Sequence, residues 1–408
     1  SSDVCSSDLI LFYLNSVFVV FCFVSCGSSP TEASSLLTAD IRGGMDKPGL
    51  LGLGDEIKGV TFVPLEVTTD DASLIDGVYD YAVTDRYIYV LPVKEPRIVL
   101  FDRQGRFIRT LVKEGQGPGE FRGILPCIQV DERNDRLFLF SNNRVWEYTL
   151  EGEFIGQSTH EYSVIYMRHI GKDRFAAISF PFQPFNGGGF GLGLFSRKGD
   201  TIAIKNDFYS FLLPHEKSGF TTSIAPAYSD AQNSVLFKTG SNDTVFCISA
   251  DRISAACVLD LKNSDAEVIR SLDVTDMSNL RIEKKDPKDI FVQDMIEFPG
   301  HYYFRLLYNQ GYYIASVDKK TGKTLVEKCV MPGSIYELAD ANLQHGMQGT
   351  RSYRNFPVWG RVIKDELVQV VTPYELNLYK SLRSITIPQE LDLKGEEGNP
   401  VFVFYSLI

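Results

Sequence analysis

The sequence has no excess of basic residues and no long run of apolar residues. Its 408 residues include 41 Lys and Arg against 52 Asp and Glu, which gives a formal net charge of -11. A protein that coats nucleic acid needs a basic surface, so we predict no nucleic-acid partner. The apolar stretch from Leu9 to Val24 is charge-free; it has the length of a secretory signal core and is short for a transmembrane helix.

Motifs of the common hydrolases and metal sites are also missing. The five histidines form no His-x-His or His-Glu-x-x-His pattern, and no Gly-x-Ser-x-Gly occurs. The Asp-rich segments 70–77 and 131–135 lack the ligand spacing of an EF-hand loop and are more typical of turns. We therefore predict no catalytic residues, no metal site and no cofactor, with Ca²⁺ kept as a minor alternative.

Cysteine is sparse and does not form Cys-x-x-Cys pairs. Beyond the apolar N-terminal stretch, four cysteines lie in strand-like runs, which favours buried free thiols, with one disulfide as the alternative in an oxidising compartment. These are Cys127, Cys247, Cys257 and Cys329.

The N-terminal region indicates export and lipid attachment. The apolar stretch ends in Phe23-Val24-Ser25-Cys26, the pattern at the end of a bacterial lipoprotein signal, so we predict lipidation of Cys26. Residues 1–8 resemble non-native sequence, 9–25 are assigned to the signal and 26–54 to a tether. The expected location is the cell envelope, and a periplasm-facing membrane is favoured over the cell surface because no acidic run follows Cys26.

Aromatic residues and glycine are abundant and follow a regular spacing. There are 28 Phe, 20 Tyr and 33 Gly, a composition that favours β-structure. Turn glycines recur at intervals of 47 residues, each with an aromatic residue four positions before it and an isoleucine three positions after it. The glycines are Gly105, Gly152 and Gly199; the aromatics are Phe101, Tyr148 and Phe195; the isoleucines are Ile108, Ile155 and Ile202.

This repeat predicts an all-β, six-bladed propeller of four-stranded antiparallel blades over residues 55–408. A small meander with one apolar face must bury it against copies of itself, and radial repetition does so. We expect the strand that begins at Val60 and the strand after Pro400 to share one blade and so close the ring. Short helical insertions are expected at 261–290 and 373–393.

Three motifs resemble those of the six-bladed β-propeller lipoproteins of gut Gram-negative bacteria, related in layout to NHL- and TolB-like propellers. The similarity extends over about residues 55–408, and its end motifs are the more specific. It implies the propeller fold after a lipoprotein signal and carries over no catalytic residues. Two end motifs contain Phe101, Asp102, Gly105, Gly117, Pro118, Gly119, Glu120, Asn399 and Pro400; a mid-chain motif is Asn242-Asp243-Thr244-Val245-Phe246.

The glycine loop 115–121 does not fit a phosphate-binding pattern, because its glycines are mis-spaced and Pro118 lacks a backbone donor. We interpret it as an inter-blade loop in which Glu120 caps neighbouring amides. Most aromatics should be core residues, but a group near predicted loops is the candidate ligand-binding set. This set is His215, Tyr302, Tyr312, Arg351, Arg354 and Trp359.

Two functional hypotheses remain open at this point. The favoured one is a monomeric, lipid-anchored propeller that is not an enzyme and binds an envelope protein, peptide or glycan on its loop face or central channel. The alternative is a divalent-metal-dependent hydrolase or lyase with its site in the channel. Convergence of three or more Asp, Glu, His or Asn side chains on the channel axis would favour the enzyme, whereas aromatics and Arg would favour the binder.

Overall fold

The structure of the chain is a computed structural model whose described part is almost entirely β-strand. No helix in this part is long and apolar enough to cross a membrane. One compact unit spans Leu36–Ile408. The structure describes residues 36–49, 51, 56–122, 127–141, 143–160, 164–179, 182–183, 191–205, 211–212, 227–231, 233–238, 243–262, 289–309, 311–329, 360–381 and 398–408.

The first blade shows how the repeat folds. Its strands are β3 (Val78–Val83), β4 (Tyr87–Pro92), β5 (Arg97–Asp102) and β6 (Phe107–Lys113), paired antiparallel in that order. The β5–β6 turn closes because Asp102 Oδ1 accepts the Gln104 and Arg106 N–H groups at 3.0 and 2.9 Å. Gly105 then adopts φ 84°, a conformation that costs a residue with a Cβ.

Five more four-stranded antiparallel sheets complete a six-bladed propeller, which confirms the predicted fold. Blade 2 is β7 (Cys127–Asp131), β8 (Arg136–Ser141), β9 (Arg144–Tyr148) and β10 (Phe154–Thr159). Blade 3 is β11 (Val164–His169), β12 (Arg174–Ser179), β14 (Leu192–Ser196) and β15 (Thr201–Lys205). Blade 4 is β17 (Ala227–Ala231), β18 (Ser234–Lys238), β19 (Thr244–Ser249) and β20 (Ile253–Leu259).

Blade 5 is β21 (Phe291–Glu297), β22 (His301–Tyr308), β23 (Gly311–Asp318) and β24 (Thr324–Cys329). Blade 6 is β25 (Arg361–Ile363), β26 (Glu366–Val371), β27 (Val401–Leu407) and β2 (Ile57–Pro64). A separate parallel pair is formed by β13 (Phe182–Gln183) and β16 (Phe211–Leu212).

Blade 6 joins the two ends of the propeller, as predicted. Strand β2 pairs antiparallel with β27, with Val60 opposite Tyr405. The buried Asn399 side chain fixes this junction: its Nδ2 donates to the Glu66 and Ser73 carbonyls at 2.7 and 2.8 Å, and its Oδ1 accepts the Ile75 N–H at 2.7 Å. The side chain therefore satisfies three backbone groups of the segment that leads from blade 6 into blade 1.

The folded unit begins earlier than residue 55. The sequence assigned 26–54 to a tether, but β1 (Leu37–Ala39) pairs in parallel with β20 as a fifth strand of blade 4. Helix α1 (Ile41–Asp46) follows it and packs against β24 of blade 5. We call β1 and α1 the strap; a three-residue strand paired with residues more than 200 positions away has no local sequence signal.

Six hydrophobic clusters hold the blades together, and each lies at one seam between neighbouring blades. Between blades 1 and 2, for example, Tyr89 and Phe121 pack with Trp146 and Tyr148. The aromatic excess of the sequence is therefore largely core. Of the predicted helical insertions, helix α2 (Pro373–Ser381) is present, and 263–288 lies outside the described residues.

Candidate functional site

The two faces of the propeller differ in the length of their connections. Because neighbouring strands are antiparallel, turns after the first and third strands of a blade lie on one face, the short-turn face, and the other connections lie on the opposite, long-loop face. Between the described strands, no connection on the short-turn face exceeds five residues. The described strands on either side of every connection of twelve or more residues end and begin at the long-loop face; these connections are 65–77, 114–126, 180–191, 206–226, 260–290, 330–360 and 372–400.

On the long-loop face, blade 1 presents three exposed apolar side chains that we call the blade 1 patch. Leu74, Tyr79 and Val93 are 39, 43 and 47% exposed. The segments that carry them lie side by side, since Val93 N–H donates to the Gly77 carbonyl at 2.9 Å and Arg97 Nη2 donates to the Leu74 carbonyl at 2.7 Å; Tyr79 lies two residues after Gly77. Exposed apolar residues in a group, next to a channel mouth, are a feature of binding surfaces.

The polar side chains around the patch are engaged within the chain. Asp76 accepts the Lys94 N–H at 3.2 Å and lies 3.7 Å from Lys94 Nζ. Arg97 donates to Glu95 at 3.1 Å. The Lys94 and Glu95 side chains are themselves 81 and 85% exposed, so the apolar patch has a charged rim, as protein-binding surfaces do.

Tyr79 gives the patch one polar atom. It occupies a bulge of β3, where the register with β4 shifts between Val78 and Asp80. Partial burial, and then the nearby Cys127, raise the pKa of the Tyr79 hydroxyl, so it stays protonated and can donate a hydrogen bond. The ring thus offers an apolar face and a donor to a partner.

The glycine loop 115–121 borders the same face and is a structural connection between blades 1 and 2. Glu120 accepts the Gly117 N–H at 2.7 Å, and a methyl group at Gly115 would lie 1.9 Å from the Glu120 carboxylate. Gly119 has φ 80°, a left-handed conformation. The loop ends at Phe121, which is fully buried against Trp146.

The channel wall is built from the innermost strands, whose backbone edges are covered by side chains of neighbouring blades. Asp80 of β3 forms an ion pair with Arg361 of β25 and accepts the Ile128 N–H of β7 at 2.7 Å. Arg168 of β11 donates to the Ile128 carbonyl at 2.6 Å, and Gln129 pairs with the backbone of His169. Asp80 is therefore committed to holding blades 6, 1 and 2 together.

On the short-turn face, Lys364 of blade 6 bridges blades 1 and 2. Its Nζ is 2.5 Å from Asp85 and 2.7 Å from Glu132. The hydrogen bond from Lys364 lowers the pKa of the Asp85 carboxyl, so the pair is ionised at neutral pH. On this face, ion pairs therefore join the short turns of blades 6, 1 and 2 to one another.

The structure brings few of the predicted ligand-binding residues together. His215, Arg351, Arg354 and Trp359 lie outside the described residues. Tyr302 lies at the short-turn end of β22, half-buried against the blade 4–5 core with Lys319 over its ring, whereas Tyr312 is the second residue of β23, at its long-loop end. The two tyrosines are at opposite ends of one hairpin and do not form one site.

The sequence did not identify the blade 1 patch. Leu74 and Val93 come from two connections, and Tyr79 is exposed through a bulge, so no spacing in the chain joins them. Within the described residues, no group of three or more His, Cys, Asp or Glu side chains is placed to hold a metal ion. Cys127, Cys247 and Cys257 are free thiols.

A family model described as "Domain of unknown function (DUF4934)" matches residues 36–406. A crystal structure of a Bacteroides fragilis protein described as exported has a TM-score of 0.61 and 15% identity, covering 86% of this chain and 95% of its own. The WD40 propeller domain of Doa1 (TM-score 0.34, 11% identity, 66% and 71% covered) and a nidogen/laminin complex (0.32, 10%, 65% and 92%) resemble it too weakly for inference. No curated protein matches the chain.

Proposed function

The chain belongs to the DUF4934 family, and from this premise we propose that it is an exported, lipid-anchored propeller that binds an envelope protein or peptide on its long-loop face. The observation that carries the proposal is the blade 1 patch. It places Leu74, Tyr79 and Val93 together on the face that also holds every long connection. Loops on a rigid scaffold are where propellers and other folds vary their binding surfaces.

Export is supported by the similar fold of the B. fragilis protein, whose description names it as exported. Lipid attachment rests on Cys26 after the apolar stretch. In a Cys26→Ala variant the protein should leave the membrane fraction, and globomycin should block processing of the wild type. Unchanged membrane fractionation of the variant would contradict the anchor.

The binding surface is tested with the full chain in intact cells. Tyr79→Ser with Val93→Ser removes the patch, and Ile202→Ser with Ile204→Ser is the matched control, because these isoleucines are about equally exposed on the outer strand β15. After chemical crosslinking and purification from the envelope, a partner should be recovered with wild type and control and reduced at least tenfold with the patch variant. Equal recovery with the patch variant would overturn the proposal.

A glycan is the alternative partner, and a glycan array probed with the detergent-solubilised protein tests it. Array binding that is lost in the patch variant would replace the protein partner with a glycan. The metal-dependent enzyme would need several ligands converging on the channel; in the described part of the wall, Asp80 is instead held by Arg361 and the Ile128 N–H. No observation favours that alternative over binding.

A further inference from the structure

Blades 1, 2, 3 and 5 repeat one contact with the preceding blade. In each, the glycine of the turn before the outermost strand packs against the outer edge of the blade before it, and in blade 5 that edge is β1 of the strap. A methyl group added at each glycine would meet one side chain of that edge: Gly105 meets Val63 at 3.0 Å, Gly152 meets Leu111 at 3.1 Å, Gly322 meets Leu37 at 3.2 Å and Gly199 meets His160 at 3.3 Å.

The side chain at this contact is aliphatic in three seams and a histidine in the seam between blades 2 and 3. His160 is only 4% exposed, and its ring lies beside Phe175 and Phe195, with centroids 6.4 and 6.2 Å away. Its backbone N–H donates to the Asn143 carbonyl at 2.7 Å. Neither ring nitrogen has a hydrogen-bond partner among the residues that the structure describes, which is costly for a buried polar group and more so for a charged one.

Charged groups surround this seam but are bound elsewhere. In the turn of blade 3, Asp200 accepts the Ser196 hydroxyl at 2.8 Å and Arg197 donates to Glu147 at 3.2 Å. Of the other charged residues on the packed elements, Arg144, Asp173 and Lys198 are exposed and Arg174 is half-buried. No ion pair among the described residues reaches His160.

A second histidine in the same seam provides an internal comparison. His169 also packs against Phe175, at 5.4 Å between ring centroids, but its Nδ1 is 3.5 Å from the Asp131 carboxylate. Burial lowers the pKa of His169, and Asp131 opposes that shift. When His169 gains a proton, the Asp131 carboxylate can balance its charge. Among the described residues, no carboxylate lies beside the His160 ring to do the same.

We propose that His160 makes the seam between blades 2 and 3 an acid-labile seam, which opens when the buried imidazole is protonated. The two phenylalanine rings would stabilise the charged imidazole only weakly. Their centroids lie 6.4 and 6.2 Å from the imidazole centroid, beyond the roughly 6 Å within which a cation and a ring attract strongly. Opening frees the contact between Gly199 and His160.

The sign of the pH dependence follows from burial. Burial lowers the pKa of His160 in the folded state, while an unfolded histidine titrates near about pH 6.5. Between these two values the unfolded chain binds more protons, so stability is intact above about pH 6.5 and decreases as the pH falls towards the folded pKa.

Hydrogen exchange of the full chain at pH 7, 6 and 5, corrected for intrinsic exchange, tests the proposal. Peptides over 154–160 and 195–205 should lose at least tenfold protection between pH 7 and 5, while 57–64 and 401–407 should change less than threefold. His160→Leu, which introduces the aliphatic residue found at the seam before it, should abolish the difference. His169→Gln should retain it.

Two results would overturn the proposal: equal protection of the wild-type seam at pH 7 and 5, or the same loss of protection in His160→Leu. If His160→Leu does not fold, His160→Phe takes its place, because a phenyl ring cannot be protonated. Hydrogen-exchange protection of the seam in that variant must also be insensitive to pH. If the loss of protection at low pH disappears in His169→Gln and not in His160→Leu, the effect belongs to His169, and the proposal for His160 is refuted.

Discussion

The seam between blades 6 and 1 and the seam between blades 2 and 3 are built from different chemistry. In the first, a hydrophobic cluster is joined by two buried polar side chains with partners: Asn399 binds three backbone groups, and Asp80 binds Arg361 and the next blade. The second is an aromatic and aliphatic cluster that contains the unpartnered His160. Both use the same glycine turn, yet only the first joins the two ends of the chain.

The difference shows how a ring of similar units can have seams of unequal strength. Directional hydrogen bonds fix the seam where strands from opposite chain ends must meet in one register. The seam between blades 2 and 3, which follow each other directly in sequence, also has polar contacts, but its buried His160 ring has no hydrogen-bond partner among the described residues. We expect local opening to begin at blades 2 and 3 before blades 6 and 1.

Among the substitutions that test this difference between the seams, Asn399→Ala should lower the free energy of unfolding the most. It leaves the Ile75 N–H and the Glu66 and Ser73 carbonyls without their partner in a buried site. We expect a loss of about 3 kcal/mol in the free energy of unfolding, measured by urea denaturation at pH 7. Asn134→Ala, which removes an exposed side chain, is the control; similar losses in both variants would contradict the role of Asn399.

Gly105→Ala and Gly199→Ala place the same methyl group at the same turn in the two seams. Both residues have positive φ, so each variant should lose about 1 kcal/mol from backbone strain. At Gly105 the methyl would also lie 2.2 Å from the Pro64 carbonyl, which is backbone, so we expect a total near about 2 to 3 kcal/mol. Equal urea midpoints for the two variants would show that both seams tolerate the added methyl group equally well, contrary to this expectation.

Asp80→Asn tests the channel side of the blade 6–1 seam. It removes the charge that faces Arg361 while keeping an oxygen for the Ile128 N–H, and Arg361 is partly exposed, so we expect a loss of about 2 kcal/mol. Thermal unfolding should show a lower midpoint. Glu95→Gln, at an exposed ion pair with Arg97, serves as the control. If both variants lower the unfolding midpoint by the same small amount, Asp80 does not hold blades 6 and 1 together.

The smallest effect should follow from Lys364→Ala. The Lys364, Asp85 and Glu132 side chains form ion pairs that are open to water, so we expect a change below about 1 kcal/mol at low salt and less at high salt. A larger loss in urea denaturation would mean that the short-turn face, and not Asn399, is the main closure of the ring.

Much of the fold could be predicted because its signals are local. The turn at Gly105 is determined by four neighbouring residues, and the same pattern at Gly152 and Gly199 indicates the blade period. The pairing of β2 with β27 followed from the need to close the ring. By contrast, β1 pairs with residues near Cys257, and a strand of three residues carries no periodicity that would distinguish it from a tether.

The candidate site was less predictable because exposure depends on packing. The sequence favoured Tyr302 as a ligand-binding residue, but the core between blades 4 and 5 covers much of its ring. Tyr79 is also a tyrosine in a strand, yet it lies at a bulge and is 43% exposed. His160 likewise became notable only when its neighbours showed that both ring nitrogens lack partners.

The pairing of β2 with β27 has a consequence for the order of events during synthesis. Residues 57–64 are made more than 300 residues before their partner strand, so the outer strand of blade 6 waits while blades 1 to 5 are synthesised. Contacts between such distant segments form slowly because their loop-closure entropy must be overcome. Until then β2 has no partner strand, and the nascent chain is most exposed to aggregation before residues 401–407 are made.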